Sequence, residues 1–376
     1  MESDVHVEGS FKSKFGLVRE AFAQNFQSGR ELGACVAVMI DGEMVVDLWG
    51  GYKDKARTQY WEEDTIVSVQ SVVKGFVALC GCLLIDRGDL DPARPVAYYW
   101  PEFARAGKEN ITVYQLLTHQ SGVIYTDHVP KGAAFEWHAV ANGLAEQEPA
   151  WEPGTRGGFH SSTYGHLVGE LVRRVSGDPV SVFFKKEFAD PLGLDFRFVL
   201  NRDEQALMAE YVTHQDSMLT LMRDPSTPLG RAWQFLDKPL DFNSPRVLET
   251  EMIHGCGHAR DMAILFGQLA RGGEMNGFRL LSEQMVKMLS HEAWRDICGL
   301  MDVELRMSMG LLLNHNTFGP MGPNPDAYGY FGAGGTATFA DPELKLGFGY
   351  AMNAMYPGMG VSPLYLNLME AVYACL

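Results

Sequence analysis

The chain has 376 residues, 46% hydrophobic and 21% charged, which excludes a disordered or collagen-like protein and allows a sizeable core. Its 31 Lys and Arg residues against 47 Asp and Glu residues give a net charge of −16, so nucleic acid is excluded as an expected partner. There is no basic amphipathic run for a membrane surface and no apolar stretch long enough to span a bilayer, so we expect no membrane partner.

The first predicted elements are a helix and a β-hairpin. Residues 12–26 are typical of a helix with one apolar face. Residues 34–40 and 44–49 are β-rich runs on either side of Asp41-Gly42, a dipeptide that favours a tight turn. Two adjacent antiparallel strands are therefore expected near the amino terminus.

The middle of the chain is predicted to be helical. Glycines separate the apolar-faced segments there and indicate where helices end. The helices are predicted over residues 71–87, 112–117, 163–175, 180–188 and 259–271.

A second hairpin and a helix are predicted near the carboxyl terminus. Residues 336–340 and 346–352 are β-rich and flank a turn at 341–343. Residues 364–375 have an apolar helical face. Hairpins and helices near both termini indicate one antiparallel sheet that both chain ends close.

We interpret the chain as a single unit over 1–376. Residues 1–65 and 300–376 are assigned to its sheet part, and 66–299 to a mostly helical part. Residues 200–250 are rich in Met, Asp and Pro and predict either a lid over a cleft or an irregular segment covering the core.

The cysteines and the amino terminus predict a cytoplasmic protein. The amino terminus is polar and acidic, without the features of a signal peptide. The cysteines are scattered without a C-x-x-C pair, which favours reduced, buried thiols over a disulfide framework. They are Cys35, Cys80, Cys82, Cys256, Cys298 and Cys375.

Ser71-Val-Val-Lys74 is the first candidate for chemistry. In a helix that starts at Ser71, Lys74 lies one turn further on the same face, so its amine can reach the serine oxygen and assist its deprotonation. The helix N-terminus would stabilise a developing oxyanion. The alternative interpretation is a surface lysine on an amphipathic helix.

Metal and cofactor motifs are weaker. His254-Gly-Cys256-Gly-His258 contains ligand types for zinc, but alternating glycines do not hold them in a tetrahedral geometry. Gly332-x-Gly334-Gly335 lacks the strand, turn and helix of a dinucleotide-binding fingerprint. We therefore expect no metal and no cofactor.

Further motifs accompany the Ser-x-x-Lys tetrapeptide along almost the whole chain. In order, they are Ser71-Val-Val-Lys74-Gly75, Asp86-Arg-Gly-Asp-Leu90, Ile111-Thr-Val-Tyr-Gln-Leu-Leu-Thr-His-Gln-Ser-Gly122, Trp151-Glu-Pro-Gly-Thr155, Gly165-His-Leu-Val-Gly169, Pro191-Leu-Gly-Leu-Asp195 and Gly332-Ala-Gly-Gly-Thr336. Over roughly 12–375 the chain thus resembles the serine β-lactamase-related family, of class C type, with most similarity to the family VIII carboxylesterases.

This resemblance implies an α+β fold of the β-lactamase and penicillin-binding-protein type. An antiparallel sheet is flanked by terminal helices, and an all-helical region carries the nucleophile. It also implies an acyl-enzyme on Ser71, assistance by Lys74, and oxyanion or substrate contacts from Gly332, Ala333 and Phe159.

The chain departs from the family at the residue that commonly acts as base. Relatives tend to have Tyr-His-Ala where this chain has Phe159-His160-Ser161, and phenylalanine cannot exchange a proton. Tyr330, beside the third motif, is our candidate proton carrier, and Tyr164 and His160 are rivals. Each of the three is otherwise a buried structural side chain.

The leading hypothesis is a serine hydrolase that cleaves small esters. The same acyl-enzyme would serve an acyltransferase of secondary metabolism, and a non-catalytic binding protein could retain the fold. The expected partner is a small ester or acyl substrate, and assembly into a homo-oligomer stays open.

Overall fold

A nine-stranded antiparallel sheet is the framework of the fold. The computed structural model describes residues 5–214, 217–251, 254–316, 318–358 and 361–376. The strands in these ranges are β1 (Val7–Phe11), β2 (Gly33–Ile40), β3 (Glu43–Gly51), β4 (Val67–Ser68), β5 (Cys256–Gly257), β6 (Glu274–Met275), β7 (Phe278–Arg279), β8 (Trp294–Ile297), β9 (Glu304–Met307), β10 (Leu312–Leu313), β11 (Tyr328–Phe331), β12 (Ala337–Asp341) and β13 (Leu346–Met352).

The strand order joins the two ends of the chain at the middle of the sheet. It runs β1-β3-β2-β13-β12-β11-β10-β9-β8, and the remaining four strands form two short ribbons, β4 with β5 and β6 with β7. Strand β13 is the junction, because Phe348 lies opposite Val38 of β2 on one side and Phe339 of β12 on the other.

The helices lie on both faces of the sheet and in a separate region beside it. They are α1 (Gly16–Gln27), α2 (Val72–Asp86), α3 (Val96–Tyr99), α4 (Val113–Leu117), α5 (Trp137–Glu146), α6 (Tyr164–Ser176), α7 (Val180–Phe184), α8 (Asp190–Leu192), α9 (Arg202–Gln205), α10 (Pro228–Ala232), α11 (Pro245–Leu248), α12 (Ala259–Ala270), α13 (Glu283–Ser290) and α14 (Pro363–Ala374). Among the described residues, none of these helices combines the length and apolar character needed to cross a bilayer.

Alternate residues of β13 pack against different helices. The terminal helices α1 and α14 pack together on one face, where the Phe348 ring meets Tyr365 edge-on. On the other face α12 lies directly on the backbone, because Gly347 and Gly349 carry no side chain. A Cβ at Gly349 would lie 2.1 Å from the carbonyl oxygen of Ala259. These glycines therefore set the spacing between helix and sheet.

Helix α2 is the central helix of the second region. Every residue from Val72 to Leu84 is buried, which is typical of a helix surrounded by protein on all sides. Its neighbours include α6 and α7, and its first turns approach β11. This position places the beginning of α2 beside the end of a sheet strand.

The predicted architecture is confirmed, including both hairpins and the apolar helices between them. The edge strand β1 and the short strands β8 to β10 are absent from the sequence-based assignment. Strands β8 and β9 have only four residues each and β10 has two, which is too few for alternation to be visible.

The contact between β13 and α12 can be tested by adding one methyl group. Gly349→Ala places a Cβ against the carbonyl of Ala259, so we expect a loss of about 3 kcal/mol in the free energy of unfolding, at the upper end of overpacking costs. Gly16→Ala is the matched control, since a Cβ there meets no atom within 4 Å. Urea denaturation measures both, and equal stability of the two variants would contradict the proposed packing.

Candidate active site

Ser71 lies at the amino-terminal end of α2 with its hydroxyl free of any capping role. The preceding residue, Gln70, has a φ of +52°, a left-handed conformation that is strained for a residue with a side chain. The Gln70 side-chain amide donates to Ser68 Oγ at 3.0 Å and holds this turn. The serine is therefore presented by a fixed turn at a helix N-terminus.

Lys74 is the partner of Ser71. Its Nζ lies 2.9 Å from Ser71 Oγ, and its side chain is only 1% exposed. Burial lowers the pKa of Lys74 to about 7, because the apolar surroundings disfavour the ammonium. Within the described chain Nζ has no other hydrogen bond, so a buried ammonium would leave donors unsatisfied. A large share of the lysine is therefore an uncharged amine near neutral pH, able to accept the serine proton.

Phe159 forms the wall beside this pair. Lys74 Nζ lies 5.5 Å from the centre of the Phe159 ring. The same ring stacks on His119 at 5.5 Å and lies 6.2 Å from the Tyr330 ring. The ring exchanges no proton, but it keeps water away from the lysine and so contributes to the burial that lowers its pKa.

The Tyr330 hydroxyl does not make the contact that the sequence predicted. The side chain is fully buried, and its oxygen has no hydrogen-bond partner among the residues that the structure describes. Burial raises the pKa of Tyr330 well above its usual value, so the phenol stays protonated. The residue reaches the right neighbourhood, but it is placed as a packing side chain under α2, near Gly75.

The two rival proton carriers are engaged elsewhere. The Tyr164 hydroxyl donates to the carbonyl of Leu117 at 2.9 Å. His160 Nδ1 lies 2.6 Å from the carbonyl of Gly158 and Nε2 lies 2.7 Å from Ser121 Oγ. Neither residue hydrogen-bonds to Ser71 or Lys74 among the described residues, because their polar atoms hold neighbouring backbone and side chains in place.

The end of β11 supplies the opposite side of the site. The amides of Ser71 and Ala333 donate no hydrogen bond within the described ranges, which leaves both N–H groups for an oxyanion. Gly332 permits this approach, since a Cβ there would lie 2.7 Å from the carbonyl oxygen of Val69. The sequence-predicted group of Ser71, Lys74, Gly332, Ala333 and Phe159 is thus brought together.

A pocket of about 70 Å³ opens on Ser71, and it is mostly apolar. Sequence reasoning did not assign several of its walls, because they come from strands and loops that lie far apart along the chain. These side chains are Ser161, Met301, Leu312, Phe318, Phe331, Val361 and Ser362. Two of them had a signal, since Phe331 adjoins the glycine-rich third motif and Ser161 ends the Phe159-His160-Ser161 triplet. Such a pocket accepts a small apolar group next to the nucleophile.

The His-Gly-Cys-Gly-His segment does not form a metal centre in the described parts of the chain. No three His, Cys, Asp or Glu side chains there converge as ligands. His258 precedes α12, and its backbone amide donates to Asp261. The segment therefore leads into a helix.

The family follows from a comparison of the whole chain with known proteins. Residues 18–372 match the Beta-lactamase family model, so the chain belongs to this family. The esterase/beta-lactamase LipL of Mycobacterium tuberculosis is 30% identical over 376 residues, covering 96% of this chain and 85% of LipL.

Solved structures agree with this assignment. A family VIII carboxylesterase superimposes with a TM-score of 0.89 at 36% identity, covering 98% of this chain and 100% of its own. EstA from Arthrobacter nitroguajacolicus superimposes with a TM-score of 0.84 at 28% identity, covering 100% and 98%. The fold is therefore the β-lactamase and penicillin-binding-protein fold expected from the motifs.

The state of Lys74 predicts how the reactivity of Ser71 depends on pH. Only the uncharged amine accepts a proton, so labelling of Ser71 by a fluorophosphonate should accelerate as the pH rises through about 7 and then level off. Mass spectrometry of the labelled peptide gives the rate. A rate independent of pH would show that another group activates the serine.

Lys74→Met, which keeps the length and removes the amine, should slow this labelling by about 10²-fold or more. Lys108→Met is the matched control, because Lys108 is also buried but donates to the carbonyls of Arg105, Ala145 and Gln147. An equal loss in both variants would assign the effect to instability.

Proposed function

We propose that the protein is a serine ester hydrolase that cleaves small carboxylic esters through an acyl-enzyme on Ser71. The observation that carries this proposal is the buried contact of 2.9 Å between Ser71 Oγ and Lys74 Nζ, facing an apolar pocket. Relatives that are named esterases over most of the chain support it. A non-catalytic role would not require a lysine to be buried against a serine.

In the first half of the reaction Ser71 Oγ attacks the ester carbonyl while its proton passes to Lys74 Nζ. The carbonyl oxygen becomes an oxyanion and is stabilised by the amides of Ser71 and Ala333. The intermediate collapses, the bond to the alcohol oxygen breaks, and Lys74 returns the proton to the leaving alcohol. The acyl group stays on Ser71.

In the second half Lys74 accepts a proton from a water molecule that attacks the acyl-serine. The acid leaves, and the lysine gives the proton back to Ser71 Oγ. One base thus serves both halves of the reaction. A second proton carrier is then not needed at Phe159, where relatives have a phenol. Transfer of the acyl group to another alcohol uses the same acyl-enzyme, and product analysis with and without added alcohol distinguishes the two.

The segment from 200 to 250 is proposed to cover the cleft. Two of its contacts support this role. The Tyr211 hydroxyl donates to the carbonyl of Ala333 at 3.2 Å, and Trp233 Nε1 donates to Ser161 Oγ at 3.0 Å. The segment is thereby tied to both sides of the Ser71 pocket.

We further propose a cytoplasmic location and a small-molecule substrate as the partner. All six cysteines are buried and unpaired in the structure, which supports a reducing compartment. Assembly into a homo-oligomer stays a proposal, and sedimentation of the purified chain would test it.

The nucleophile is tested by turnover of p-nitrophenyl butyrate. Ser71→Ala should abolish turnover and leave the chain folded, because its hydroxyl takes no part in capping the helix. Ser10→Ala, on the exposed edge strand, is the matched control and should keep full activity. Undiminished turnover by purified Ser71→Ala would refute the acyl-enzyme.

Tyr330→Phe tests whether a second proton carrier is needed. Since the hydroxyl makes no hydrogen bond to Ser71 or Lys74, we expect turnover within a few-fold of the parent chain. Removing an unsatisfied buried hydroxyl should also raise the free energy of unfolding, by about 1 kcal/mol. A loss of turnover on the scale of general acid–base catalysis, about 10²-fold, would show that the phenol does carry the proton.

A further inference from the structure

A second cavity lies behind the wall of the Ser71 pocket. It has a volume of about 700 Å³, against about 70 Å³ for the pocket itself. The larger value lies within the range of about 300–1,000 Å³ that is usual for small-molecule sites. Most of its lining residues lie within 217–240, and Lys131 lines it from another loop. The motifs and the proposed mechanism do not account for this space.

Trp233 is the partition between the two spaces. Its side chain lines the larger cavity, while its Nε1 donates at 3.0 Å to the hydroxyl of Ser161, which lines the Ser71 pocket. Both side chains are buried. At this point the wall therefore consists of one indole and the small hydroxyl side chain it binds.

The backbone next to Trp233 is anchored, so the indole is a fixed wall. The residue follows α10, whose first turn is capped by the hydroxyl of Thr227. The carbonyl of Ala232 accepts hydrogen bonds from the hydroxyls of Ser162 and Thr126. Ser162 belongs to the same loop as Phe159, so the partition and the active-site loop are held together.

The larger cavity suits an aliphatic chain. Its apolar lining comes from Leu219, Met222, Leu236 and Leu240 together with the indole of Trp233. The charged side chains that line it, such as Lys131, are exposed, and so are the polar residues of the lining except Ser217, namely Thr213, His214, Thr220 and Gln234. An alkyl chain entering from the Ser71 side would thus meet apolar walls and would gain the hydrophobic free energy of burial.

We infer that Trp233 determines the chain length of the ester substrate, by closing the Ser71 pocket against a cavity about ten times its volume. This inference rests on the proposed function. With the indole in place, a long aliphatic chain on the acyl or the alcohol side meets the wall. Without it, the chain passes into the larger cavity.

The test is the ratio of kcat/KM for a long ester to that for a short one. Two series distinguish the side of the ester: p-nitrophenyl butyrate and decanoate vary the acyl chain, and butyl and decyl acetate vary the alcohol. The parent chain should prefer the short ester, and Trp233→Ala should raise the long-to-short ratio about tenfold or more in one series.

Two control variants separate the wall from other effects. Trp233→Phe keeps an aromatic wall and loses the hydrogen bond to Ser161, so its ratio should stay near that of the parent chain. Leu240→Ala enlarges the second cavity without opening the partition, so its long-to-short ratio should also stay near that of the parent chain. An equal gain in Trp233→Phe and Trp233→Ala would assign the effect to the hydrogen bond and overturn the wall.

Further outcomes keep the inference separate from the proposed function. If the folded parent chain hydrolyses long and short esters equally well, or if Trp233→Ala leaves both ratios unchanged, Trp233 does not limit chain length. Trp233→Leu provides the opening if the alanine variant does not fold. If no ester is hydrolysed, the proposed function fails. The rates at which decyl and ethyl fluorophosphonates label Ser71 then still give a long-to-short ratio that tests the wall.

Discussion

The removal of Lys74 from water beside Ser71 is the constraint on which the rest of the site depends. A charged ammonium in an apolar interior is costly, so burial lowers the pKa of Lys74 to about 7, which allows the proposed role as a base. The surrounding helix provides this burial, since every residue from Val72 to Leu84 is buried. The apolar composition of α2 therefore determines the protonation state of Lys74.

The second requirement is that two layers of the fold meet closely. Helix α2 carries Ser71, whereas strand β11, far along the chain, leads to Ala333, whose amide is the second donor of the proposed oxyanion site. The two backbones approach so closely at Gly332 and Val69 that a side chain at Gly332 would not fit. The glycines of β13 do the same for α12. Close backbone contact is thus the means by which the sheet positions the site.

Phe159 links the electrostatics to the proton transfer. A phenol at this position would offer a hydrogen bond and a proton, while the phenyl ring offers only apolar surface at 5.5 Å from the lysine. The ring contributes to the desolvation of Lys74 and exchanges no proton itself, which agrees with the proposed role of the lysine as the base. Loss of one proton carrier and a lowered lysine pKa are therefore compatible in a single site.

The sequence by itself determined the features that depend on neighbours along the chain. A helix beginning at Ser71 places Lys74 on the same face, and Asp41-Gly42 specifies a tight turn between two strands, so these elements were predictable. The order of motifs along the chain then indicated the family and its fold.

Only the tertiary structure decided where the polar atoms of Tyr330, Tyr164 and His160 lie. Tyr164 bonds to the carbonyl of Leu117 and His160 to the hydroxyl of Ser121, both on other segments of the chain. The Tyr330 hydroxyl has no partner among the described residues. Trp233 was equally out of reach, since its segment has no periodicity. Helix and turn patterns reflect short-range geometry, whereas the direction of a buried hydroxyl or indole depends on contacts between residues distant in sequence.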